Sequence, residues 1–216
     1  MKKIHSLVLL PVVAIVLSAC SSAPSPADVN KATADMLKSS FQARGIAGLN
    51  RLNQDQANAE CAVADATGKP LDEKMSKAIE EANMKTVKWP TDGKFLGDWK
   101  EGEKIAQSGR GLTWTDTATT ENGGNCYNCH QISKEEISFG TLGPSLYNYG
   151  KLRGVTDPNS AGGKAIVEYT WGKLWNARAY NACSQMPRVG HMAILNQKQI
   201  QDVMALLLDP ASPVNK

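Results

Sequence analysis

Cys126-Tyr127-Asn128-Cys129-His130 decides how the rest of this 216-residue chain is read. The spacing C-x-x-C-H is the attachment signature of a c-type haem: two thiols add across the vinyl groups, and the histidine that follows becomes an axial iron ligand. Two intervening residues set both sulfurs along one porphyrin edge while the adjacent imidazole points at its centre. A thioredoxin-like redox pair is the competing reading, since it needs the same cysteines and makes His130 incidental, but no βαβ pattern surrounds the motif. A four-ligand zinc site would need two further Cys or His at short spacing, and the flanking sequence supplies neither.

Working outward, the N-terminus reads as an export segment over residues 1–19. Lys2 and Lys3 form a basic start, Leu7 to Leu17 an apolar run short for a membrane span, and Leu17-Ser18-Ala19-Cys20 follows. This end is similar to a bacterial lipobox. Cleavage before Cys20 would leave that thiol to carry lipid, anchoring an otherwise soluble periplasmic protein to a membrane. Ordinary secretion with cleavage nearby is the alternative. Either route exports the chain, as covalent haem attachment on the outer side of a cytoplasmic membrane requires, and His5 falls in the removed part.

Loss of Lys2 and Lys3 lowers the formal net charge from +3 to +1. Nucleic-acid binding therefore has no electrostatic basis, and any docking surface is a local patch. The 5 cysteines divide by role. Cys20 is for lipid and Cys126 and Cys129 are for haem, which leaves Cys61 and Cys183 for a disulfide in an oxidising compartment.

Residues 20–90 read as a tether and helical extension. Ser21 to Pro26 is small and proline-rich. Asp28 is a candidate cap for a helix carrying Val29, Ala32, Met36, Leu37 and Phe41, and after Gly45 to Gly48 the pattern resumes through Leu49, Leu52, Gln56 and Ala59 toward Cys61. A break at Thr67 to Pro70 precedes a third stripe, Met75, Ala78, Ile79 and Ala82, that ends near Trp89-Pro90. Met75 and Met84 read as packing rather than as iron ligands.

Residues 91–216 carry the haem domain. Asp98 to Ala106 resembles the first helix of class I cytochromes c, with Gly102 where that family lets two helices approach closely. Gln197 to Leu208, with Ile200, Val203, Met204, Leu207 and Leu208 on one face, is the expected partner; Leu206 stands where the family often has an aromatic. The fold expected is therefore all-α, a class I cytochrome c domain behind a helical extension. Leu142-Gly143-Pro144-Ser145-Leu146 resembles the family's Gly-Pro-x-Leu turn. That resemblance makes the Pro144 carbonyl the acceptor of the axial histidine's ring N–H and Leu146 a haem-packing residue. Gly162 to Tyr180 reads as one helix whose Tyr169, Trp171, Leu174 and Trp175 wall the haem from water.

Met186, His191, Met192 and Met204 are the candidates for the second axial position. Met204 lies on the apolar stripe of the last helix, whereas Met186 precedes Pro187 in the loop before it, where class I cytochromes present their methionine. A thioether favours ferrous iron and suits electron acceptance; bis-histidine ligation through His191 would lower the potential.

Ala179 to His191, with Met186-Pro187-Arg188 at its centre, and Leu207 to Asn215 resemble the SoxX family. Its members are the monohaem cytochrome subunits of SoxAX complexes in bacterial sulfur oxidation. The resemblance implies thioethers at Cys126 and Cys129, His130 as proximal ligand and Met186 as distal ligand. It implies the redox subunit of an L-cysteine S-thiosulfotransferase, whose catalytic haem sits on a SoxA-type dihaem or monohaem partner. The carrier protein SoxYZ would present the cysteine, and a cytochrome c or oxidase would take the electrons onward. A stand-alone, lipid-anchored periplasmic electron shuttle is the other function considered. A subunit needs a large apolar interface, for which Trp89, Trp99 and Trp114 are candidates, while a shuttle needs only a small polar rim.

Overall fold

The computed structural model describes residues 25–216. The export segment, Cys20 and most of the expected tether lie outside these residues. Among the described residues the protein is all-α, with seven α-helices, short 3₁₀ turns and no strand. The chain forms two compact units that part between Phe41 and Gln42.

In the first unit, helix α1 (Pro26–Ser40) begins with a reciprocal capping box. Ser25 is the cap itself, and Asp28 reaches back to it from the third helical position, so Asp28 supports the cap rather than forming it. No residue of α1 is buried.

The second unit contains α2 (Gln56–Thr67), α3 (Glu73–Met84), α4 (Trp99–Gln107), α5 (Tyr149–Leu152), α6 (Lys164–Trp175) and α7 (Gln197–Leu208). Two of its helices are shorter than the apolar periodicity suggests, for one physical reason. Leu49–Leu52 closes as a 3₁₀ turn, and α2 starts afresh where the Asp55 carboxylate accepts the Asn58 N–H at 2.8 Å. Asn176 likewise ends α6 in extended backbone, and its side chain accepts the Arg178 N–H to open the turn Ala177–Ala179. Short Asx side chains offer the backbone a local partner that the helix ladder does not match.

Helix α7 is the axis of this unit, with every residue from Ile200 to Leu208 buried. A helix enclosed on all sides has to satisfy its polar residues locally. Gln201 donates to the Lys94 carbonyl at 2.6 Å, while Asp202 accepts the Asp98 N–H at 2.7 Å and the Lys198 ammonium at 2.5 Å. Helix α4 crosses α7 at Gly102, whose Cα rests on the Asp202 carbonyl and the Leu206 Cβ. A side chain there has no room, and Leu206, fully buried, fills the crossing.

The main core gathers Trp171, Ile132, Ile200, Met204, Leu206, Leu208 and Val214 around α7. Trp171 and Trp175 stack with ring centroids 6.0 Å apart, and their N–H groups donate to the Lys88 and Thr86 carbonyls at 2.9 and 3.1 Å. These indoles therefore join α6 to the segment leaving α3. Asn215 closes the C-terminus: its Nδ2 donates to the Leu207 carbonyl at 3.0 Å, and its Oδ1 accepts the Gly150 N–H at 3.0 Å. A smaller core of Ala57, Ile79 and Ala182, edged by Leu71 and Met75, lies between α2, α3 and the loop before α7. The Cys61–Cys183 disulfide spans the same elements. Met84 packs against the main core, so both early methionines are packing residues.

Candidate functional site

Cys126 opens a single 3₁₀ turn, Cys126–Asn128, entered through Asn125 in the left-handed region at φ 52°. Asparagine tolerates that conformation because its side chain bonds locally. The turn is tied to α4 from both sides. Gly124 and Asn125 donate to the Ile105 and Ser108 carbonyls at 2.8 and 2.9 Å, and the Tyr127 hydroxyl donates to Glu103 Oε1 at 2.8 Å. Burial first, and then the bond to Glu103, push the Tyr127 phenol well above its ordinary range. Glu103 Oε2 is left buried without a partner.

The segment after the motif folds back over it. Gly140 donates to the Tyr127 carbonyl at 2.8 Å, Gly143 to the Cys129 carbonyl at 2.8 Å and Leu146 to the Gln131 carbonyl at 2.7 Å. This return brings the Pro144 carbonyl to 2.7 Å from His130 Nδ1. A carbonyl only accepts, so the proton sits on Nδ1 and Nε2 keeps its lone pair for a metal. The imidazole ring lies directly on the Gly143 Cα, at a distance that a Cβ would occupy. Glycine before the proline is therefore what lets the ring reach the carbonyl.

Cys126 and Cys129 are both free thiols, each partly exposed as a residue. Burial of its sulfur pushes the Cys126 thiol up to about 11. A dithiol redox pair works through a lowered thiol pKa at its attacking cysteine, which is the opposite of what this turn creates.

Of the candidates for the opposite iron position, Met204 is fully buried in α7 and His191 and Met192 are exposed. Met186 is half-buried at the edge of the main core, where Cys126 and Leu146 also pack. The structure thus brings His130, Pro144 and Gly143 together, and sets Cys126, Leu146 and Met186 against one core. Two thiols, an imidazole Nε2 with a free lone pair and a thioether form a set of groups suited to a covalent haem. Ile137 and Leu142, 94% and 90% exposed, stand on the segment that folds over the motif. Trp89 and Trp114 are exposed as expected, the latter under the Arg44 guanidinium at 3.9 Å, whereas Trp99 packs against the core. Tyr169, read as a haem wall, is 40% exposed and meets Tyr180 edge-on at 4.9 Å.

The sequence reading missed a charged cluster beside Met186. Asp55 Oδ1 pairs with Arg178 at 3.0 Å, Asp55 Oδ2 pairs with Arg188 at 2.7 Å, and the Asn58 side-chain oxygen accepts a further Arg178 N–H. No local pattern signals it, because Asp55 and Arg178 are 123 residues apart.

No family model matches the chain. It is similar to an uncharacterized lipoprotein of Aquifex aeolicus (strain VF5), with 35% identity over 134 residues, covering 61% of this chain and 59% of that protein. The chain therefore spans less than two thirds of that relative's length. Among the described residues, no helix is long and apolar enough to cross a membrane.

Proposed function

We propose that this protein is the electron-accepting c-type cytochrome subunit of a SoxAX-type complex, which oxidatively joins thiosulfate to a cysteine of a SoxYZ-type carrier. The observation that carries the reading is the His130 Nδ1 bond to the Pro144 carbonyl within a C-x-x-C-H turn of free thiols. That bond fixes the tautomer, aims the lone pair outward and raises the basicity of the ligand.

Cys126 and Cys129 would hold one haem through thioethers, His130 and Met186 would ligate its iron, and Leu146 would pack on it. When bound, the haem supplies a reversible one-electron store, which the methionine thioether biases toward the reduced state. The residues of this chain orient the imidazole, exclude water through the Trp171 and Trp175 core, and carry no nucleophile of their own. Bond making belongs to the partner. There the carrier thiol loses its proton, its sulfur joins the terminal sulfur of thiosulfate, and the two electrons released pass singly through this subunit to a downstream cytochrome or oxidase.

The lipobox-like end and the lipoprotein relative support lipid attachment at Cys20 and anchoring on the periplasmic side of a membrane. Exposed Ile137 and Leu142 beside the motif support a surface that another group or subunit covers.

Purification of the holoprotein from its native membranes tests this reading. The expected result is a tight partner carrying its own haem, and haem reduction that needs thiosulfate, partner and carrier together. A lone monohaem protein, reduced equally well by unrelated donors, would make it a lipid-anchored electron shuttle instead.

A further inference from the structure

The loop that carries Met186 is held by tethers from outside the motif, and they bracket the methionine. Ahead of it, Arg178 binds Asp55, the Ala182 N–H donates to Glu80 Oε1 at 3.1 Å, and Cys183 is bonded to Cys61. Behind it, Arg188 binds the other oxygen of the same Asp55 carboxylate. One carboxylate thus closes both stems of the loop. The Arg178 side chain is buried and that of Arg188 mostly so, with exposures of 9% and 13%, while the Asp55 side chain is 41% exposed. Without the carboxylate, two like charges would face each other in a partly enclosed site, which disfavours the closed loop.

We propose that Asp55 is a positioning residue for the distal ligand: by clamping Arg178 and Arg188 it holds Met186 on the iron and so keeps the reduction potential high. The inference rests on the reading of Met186 as distal ligand. It gives residues 55–61 a task beyond stability, because they fix a ligand more than a hundred residues downstream. The Cys61–Cys183 bond anchors the first stem, and Asp55 joins the first stem to the second beside the bond from the His191 N–H to the Trp175 carbonyl at 2.9 Å.

Asp55 also caps α2 through the Asn58 N–H. Asp55→Asn keeps an effective cap while removing the charge, so it separates clamping from helix stability. The ferric holoprotein is examined for the weak red-edge absorption band of thioether-ligated haem, its potential is titrated, and its helical content is followed by circular dichroism. Asp55→Asn is expected to lose most of that band and to shift to lower potential with helix content unchanged, because loss of a thioether ligand lowers the potential. Arg188→Gln, which leaves the α2 cap intact, is expected to do the same, and it decides the matter where Asp55→Asn gives no folded holoprotein. Arg188→Lys retains the charge and is expected to restore much of the band. Variants that keep the wild-type band and potential overturn the inference. A wild-type holoprotein without the thioether band overturns the ligand reading itself, and the clamp with it.

Discussion

His130 has one ring nitrogen committed to a carbonyl and the other left free, and that asymmetry depends on a neighbouring residue with no side chain. Gly143→Ala puts a methyl group into the imidazole ring, and overpacking of this kind costs about 1–3 kcal/mol. Chemical denaturation of the apoprotein checks this, with a downward shift of the midpoint as the expected result. The His130–Pro144 contact was legible at this scale because each residue announces itself locally. C-x-x-C-H lies within five positions, and the Gly143-Pro144 pair follows it closely. Asp55 was not legible: the apolar pattern runs through it from Leu49 to Ala59, and nothing nearby marks either its cap on α2 or its use on Arg178 and Arg188.

Among the elements, the α4–α7 crossing and the loop before α7 set the site. Gly102→Val drives a branched side chain into the Asp202 carbonyl and Leu206, with an expected loss of about 1–3 kcal/mol in the same measurement. The loop has its own pH dependence. Burial would raise the Asp55 pKa, but the Asn58 N–H and the Arg188 and Arg178 guanidinium groups outweigh it and hold the carboxyl below its ordinary value. A depressed carboxylate stabilises above the unfolded pKa and is lost as pH falls through the folded one. His191 faces the same cluster, where burial and then Arg188 lower its pKa against the opposing pull of Asp55. The gap in thermal midpoint between wild type and Asp55→Asn is therefore expected to stay constant from neutral pH to about pH 5 and to shrink in stronger acid. Helix positions were legible from apolar spacing. Their ends at Asp55 and Asn176 were not, because periodicity continues past residues whose side chains capture the backbone.

On the scale of the molecule, the disulfide joins residues 122 apart and closes most of the second unit into one loop. Cys61→Ser with Cys183→Ser is expected to cost about 4–5 kcal/mol on a chain-entropy model, measured as a lower denaturation midpoint under non-reducing conditions. Its partners were legible by elimination, since the other cysteines were read as lipid and haem sites. The small core that the bond spans was not, because Ala57, Ile79 and Ala182 meet only in the folded chain. The same bond imposes an order on biosynthesis. The four cysteines among the described residues can be fully paired in three ways, and none of them leaves a thiol at Cys126 or Cys129. In the proposed cytochrome, Cys61 and Cys183 are closed as a disulfide while Cys126 and Cys129 have to stay reduced until haem attaches. On that reading, maturation has to halt after one oxidation or shield the second pair until the haem is attached.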